Sequence, residues 1–68
     1  MKFKKGDKVI GTIEWSDSYN RTGIVIGYIN NFLVKIKFDD TNKIARYSEY
    51  KFGNYNSIIQ TFIKLLEN

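Results

Sequence analysis

The sequence contains no cysteine, no histidine and no proline. Without cysteine it forms no disulfide and offers no thiolate to a metal. Without histidine it lacks the commonest zinc ligand, every Ser-His or Cys-His catalytic pair, and the side chain that titrates nearest neutral pH. Long apolar runs are missing too. The longest, Ile24 to Ile29 with its glycine included, falls far short of the roughly 20 residues a membrane helix needs. The basic start "MKFKKGDK" is not followed by an apolar stretch of signal length. A soluble, cytoplasmic protein is expected. No repeat or linker-like stretch divides the chain, so 1–68 is read as one domain.

Carboxylates are also scarce, 7 against 11 lysines and arginines, for a net charge of +4. That excess favours anionic partners. Asp39 and Asp40 adjoin on a turn, so their side chains are expected to diverge. Chemistry by paired acids needs carboxylates that face each other from separate elements. Gly23 and Gly27 lack the lysine and following helix of a phosphate loop. No catalytic residue, metal ligand or cofactor is assigned, and an enzyme is not expected.

What is present is a series of short β patterns. At 68 residues the core is small and the margin of stability thin. After the Gly6-Asp7 turn signal, "KVIGTIEW" (8–15) reads as a strand, bent or bulged at Gly11. "SDSYNRTG" (16–23) is a polar loop, and "IVIGYI" (24–29) a β-branched strand curved at Gly27. Asn30-Asn31 makes a tight turn, since asparagine tolerates positive φ. In "FLVKIKF" (32–38) the alternation puts Val34, Ile36 and Phe38 on one face and Lys35 and Lys37 on the other. After "DDTN", "KIARY" (43–47) is a fourth strand. Its register is open between Ile44 inward, which carries Arg46 in with it, and the favoured alternative of Ala45 and Tyr47 inward. A short bridging strand is expected near 50–52. A helix over 57–67 follows, started by the capping-box spacing of Ser57 and Gln60. Its broad apolar stripe predicts either a cap over one end of the sheet, hiding Ile58, Phe62 and Leu66, or an interface with a second subunit.

Short strands, tight turns and interior glycines predict a mainly β fold: four to five antiparallel strands curled into a small barrel, with a C-terminal α-helix. The order "KKGDKVIG", "RTGIVIGY", "FLVKIKFDD" resembles the small SH3-like barrels of the Tudor and KOW type over residues 3–52. The resemblance implies a Gly-Asp turn before strand one, a Gly-led apolar second strand and a Phe-Asp-Asp end to the third. It implies an aromatic groove from Trp15 and Tyr19 on the first loop, Tyr28 at the end of strand two and Phe38 before the acidic turn. The terminal helix is not part of that pattern.

The candidate site is a surface of cations and rings. Lys35 and Lys37 point outward, Lys43 and Arg46 lie alongside on the next strand, and Arg21 sits on the neighbouring loop. Aromatics make up 16% of the chain, more than so small a core hides. Trp15, Tyr19, Tyr28, Phe38 and Tyr47 are the candidates for the aromatic surface. Cations beside rings suit a phosphate backbone with bases stacked on aromatics. The chain is therefore expected to be a small basic binding module for nucleic acid or another anionic ligand, with no membrane partner. Two alternatives stand beside it. One is an accessory protein in the style of phage and mobile elements, which inhibits or redirects a host protein. The other is a homo-oligomer, joined by its helix, that sequesters a nucleotide-like signal.

Overall fold

The computed structural model describes residues 1–67. Five strands form one antiparallel sheet: β1 (Lys8–Gly11), β2 (Thr22–Tyr28), β3 (Leu33–Phe38), β4 (Ile44–Ser48) and β5 (Phe52–Asn54). Their spatial order is β4-β3-β2-β1-β5. A single 3₁₀ turn, Glu49–Lys51, joins β4 to β5, and the helix α1 spans Tyr55–Leu66. The expected mainly β sheet with a C-terminal helix is what the chain adopts.

β1 is shorter than its sequence pattern. It stops at Gly11 because the following loop folds back against that residue. Gly11 N–H donates to the Arg21 carbonyl and the Gly11 carbonyl accepts from Asn20 N–H, each at 3.0 Å. A Cβ at Gly11 would lie 1.8 Å from the Ser18 carbonyl oxygen. Thr12–Trp15 therefore leave the sheet, and apolar alternation alone overextended the strand. The loop is compact: Ser16 and Ser18 are buried, with hydroxyls hydrogen-bonded to each other at 2.8 Å. In β2 the pairing with β3 shifts between Val25 and Gly27, and Gly27 has φ 152°. The curvature expected there is thus a β-bulge, which adds one residue and bends the strand.

The core comprises Phe3, Val9, Val25, Val34, Ile36, Phe38 and Phe52, with Tyr28, Ala45 and Tyr47 packed against it. Val34, Ile36 and Phe38 all point inward, as alternation requires. The pairing of Val34 with Tyr47 and Ile36 with Ala45 puts both β4 residues on the inner face and leaves Ile44 and Arg46 outside. This is the favoured of the two registers. The sheet curls so that side chains of its two edge strands pack against each other. Tyr47 on β4 and Phe52 on β5 lie edge to face with centroids 5.4 Å apart. Phe3, which precedes any strand pattern, fills the core beside Tyr28, whose hydroxyl accepts from Phe3 N–H at 3.0 Å.

The helix begins two residues before its expected start. Asn54 is the N-cap, and its side-chain oxygen accepts from the amides of Asn56 and Ser57. This serves two of the amides that every helix start leaves unpaired. Asn54 already ends β5 in an extended conformation, so it takes the role assigned to Ser57. The helix does not cap the sheet. Its main contacts are with β1 and β5, and among the described residues none of the helix is fully buried. Phe62 and Leu66 are 58% and 71% exposed, against the expectation that both would be hidden. Among the described residues no helix is long and apolar enough to cross a membrane.

Candidate anion-binding face

Strand pleating sends alternate side chains to opposite faces, so register fixes which candidates share a surface. Lys35 pairs with Arg46 on one side and with Gly27 on the other. Lys37 pairs with Ile44 and Ile24, and Ile24 pairs in turn with Lys8. These residues stand on the outer face. Lys43, exposed just before β4, extends the group toward the turn. Among the described residues, Lys35, Lys37, Lys43 and Arg46 form no ion pair with a carboxylate. Isoleucines 24 and 44 separate the cations, and lysine stems lie readily along such apolar surface.

The nearby acids have other partners. Asp40 accepts from Arg21 Nε and Nη2, both at 3.1 Å. The same guanidinium lies 3.7 Å from the centre of the Phe38 ring. The Asp40 hydrogen bond holds Arg21 in its charged form, and Arg21 holds the Asp40 carboxyl below the usual range. Asp39 accepts from the Thr22 hydroxyl at 2.7 Å and sits 4.0 Å from Lys8 Nζ. The two turn carboxylates do diverge. Arg21, proposed as a ligand contact, is committed within the chain and covers the edge of the core.

The aromatic candidates separate from the strand cations. Phe38 is 2% exposed and belongs to the core rather than to a surface groove. Tyr28 and Tyr47 share the inner row with Val34. The Tyr28 hydroxyl donates to Glu49, and the Tyr47 hydroxyl donates to Asp17 at 2.9 Å. Burial raises both phenols, and the neighbouring carboxylates raise them further. Trp15 and Tyr19 remain exposed on the β1–β2 loop, Trp15 at 73%. Lys51, which no sequence signal singled out, has Nζ 5.2 Å from the Trp15 ring centre and 5.6 Å from that of Tyr47. Only the 3₁₀ turn brings it there: the Lys51 carbonyl accepts from Thr12 N–H at 3.0 Å, tying turn to loop. The structure thus divides the expected strip into the outer-face cations Lys35, Lys37, Lys43 and Arg46, which have no carboxylate partner among the described residues, and a separate Trp15–Lys51–Tyr47 group.

At the β2–β3 turn an open hollow of about 610 Å³ is lined by Phe3, Lys4, Lys5, Tyr28, Ile29 and Asn30, among others. Among the described residues no cluster of three or more acidic side chains could hold a metal ion. No family model, no curated protein and no solved structure matches the chain.

Proposed function

We propose that this chain is a non-enzymatic binding module whose outer β3–β4 face docks on the phosphate backbone of a nucleic acid. One observation carries the reading: Lys35 and Arg46 stand directly opposite each other across two strands, with no carboxylate between them. Like charges in that position destabilise a sheet by roughly 0.2–1 kcal/mol. A bound polyanion removes that cost and gains from it. The rings lie off this face, so binding there is by charge and depends little on base sequence. The strand order β4-β3-β2-β1-β5, the 3₁₀ turn before β5 and the contact between edge strands support an SH3-like barrel of the Tudor or KOW type.

Fluorescence anisotropy with single-stranded DNA, duplex DNA and RNA over a salt series tests the reading. Four phosphate contacts, from Lys35, Lys37, Lys43 and Arg46, give a log–log salt slope of about −2.8 to −3.6 at ~0.7–0.9 per contact. Absence of binding to all three at low salt removes it. A second reading has its own observation, the hollow flanked by Lys4 and Lys5, which is large enough for a mononucleotide. Calorimetric titration with a mononucleotide separates the two: heat that Lys4→Ala abolishes and Lys35→Ala leaves intact favours the hollow.

A further inference from the structure

We infer that the outer half of α1 is an interface between two copies of this chain, packed antiparallel about a two-fold axis near Thr61. Tyr55, Ile58 and Ile59 in the first half are partly covered by the sheet. Beyond them Phe62, Ile63, Leu65 and Leu66 are 58, 48, 68 and 71% exposed. A helix of 12 residues is marginal in water unless packing holds it. The last two turns of α1 have no such packing within one copy.

Three features favour a second copy over another occupant. The first is charge. From Tyr55 to Ile63 the helix carries no charged side chain, and Lys64 and Glu67 then balance. An anionic partner finds nothing to grip here. A like helix can approach without bringing together the cations that give the chain its net charge of +4. The second is shape. Ser57, Ile58, Thr61, Phe62 and Leu65 line a shallow groove of about 350 Å³. Its floor is the small pair Ser57 and Thr61, with the Thr61 hydroxyl folded down onto the Ser57 carbonyl at 2.9 Å. Its wall is the ridge Ile58–Phe62–Leu65. A surface with both ridge and groove is self-complementary, which a two-fold interface requires. The third is size. In a domain this small the core rarely supplies more than about 3–5 kcal/mol, so an added interface contributes a large share of the stability. Disulfides are excluded by the absence of cysteine, and oligomerisation is a device that needs none. The stripe offers four large exposed side chains per copy, against the roughly 20–30 residues a side of a standard interface, so the dimer is expected to be reversible.

Sedimentation equilibrium from low micromolar to near-millimolar concentration tests this. The mass is expected to rise from 8.0 kDa toward twice that value. Leu65→Lys should stay at the monomer mass throughout and keep the sheet's part of the circular dichroism spectrum, because Leu65 does not support the sheet, while the helical signal falls. Since the chain has no cysteine, single introduced cysteines report contacts cleanly. Under mild oxidation Thr61→Cys should form a covalent dimer far faster than Ile44→Cys, another exposed site, on β4. A wild-type monomer at every concentration overturns the proposal. So does a Leu65→Lys variant that dimerises as wild type does, or equal cross-linking at both sites. The outcome is independent of whether the β3–β4 face binds nucleic acid.

Discussion

Tyr47 and Phe52 lie on strands at opposite ends of the sheet order, yet their rings meet edge to face at 5.4 Å. Phe38 completes the cluster, 5.8 Å from Tyr47 and 6.3 Å from Phe52. Edge strands so joined leave one continuous interior. Phe52→Ala should therefore cost about 3–5 kcal/mol, since Phe52 is 0% exposed. A single core of this size rarely supplies more than about 3–5 kcal/mol, so that loss consumes most of the stability. Urea unfolding followed by circular dichroism is expected to show no native baseline at 25 °C for the variant. Tyr47→Phe keeps the ring and loses only the hydrogen bond to Asp17, so its cost should be within about 0.5–1.5 kcal/mol.

Gly11→Ala tests how the β1–β2 loop is seated. A methyl group at that position collides with backbone, not with a mobile side chain. Either β1 or the loop must move. The expected result is a lowered urea midpoint together with faster hydrogen exchange at the amides of Gly11 and Asn20, which close the loop. Wild-type protection in the variant would show that the loop does not rest on Gly11.

Acid should weaken the fold through Glu49. Its carboxylate accepts from the Tyr28 hydroxyl and from Lys2 N–H, and these bonds hold its pKa below the usual value. A carboxyl depressed in the folded state contributes stability that is fully present above its unfolded pKa, about 4.3 for glutamate. That contribution fades as pH falls through the folded value. Urea midpoints for wild type and Glu49→Gln, measured from pH 7 to pH 3, should differ most at neutral pH and converge below about pH 4. A constant gap would mean that the Tyr28–Glu49 bond does not sense protonation.

Trp15 is the chain's only tryptophan, so its emission reports the loop alone. Lys51→Met removes the ammonium from beside the ring and keeps an apolar stem. The variant is expected to shift or change the intensity of Trp15 emission, with a stability change under about 1 kcal/mol, as for an exposed cation–π contact. Unaltered emission would place Lys51 away from Trp15 in solution.

Much of the fold was legible in the sequence, for identifiable reasons. Val34, Ile36 and Phe38 alternate strictly with Lys35 and Lys37, and a strand with one buried face admits only one register. Gly27 marked strong curvature, which the structure takes up as a bulge between Val25 and Gly27. Other features were hidden. The end of β1 depends on the Ser18 carbonyl approaching Gly11, a contact no local pattern encodes. The helix cap moved because Asn54 and Ser57 are both competent caps, and only the end of β5 selects between them. At the candidate site, the outward cations followed from alternation. The capture of Arg21 by Asp40 and the placement of Lys51 against Trp15 depend on how a turn and a loop fold over the sheet edge.

The most direct test of the proposed face is the charge reversal Arg46→Glu, read for stability and binding in the same preparation. Opposite charges replace like ones across β3 and β4, so the urea unfolding free energy should rise by about 0.5–1 kcal/mol. Affinity for nucleic acid at low salt should fall, and the log–log salt slope should become shallower by about one or more. The account predicts this opposition, a more stable protein that binds less. Undiminished binding by the variant would contradict it.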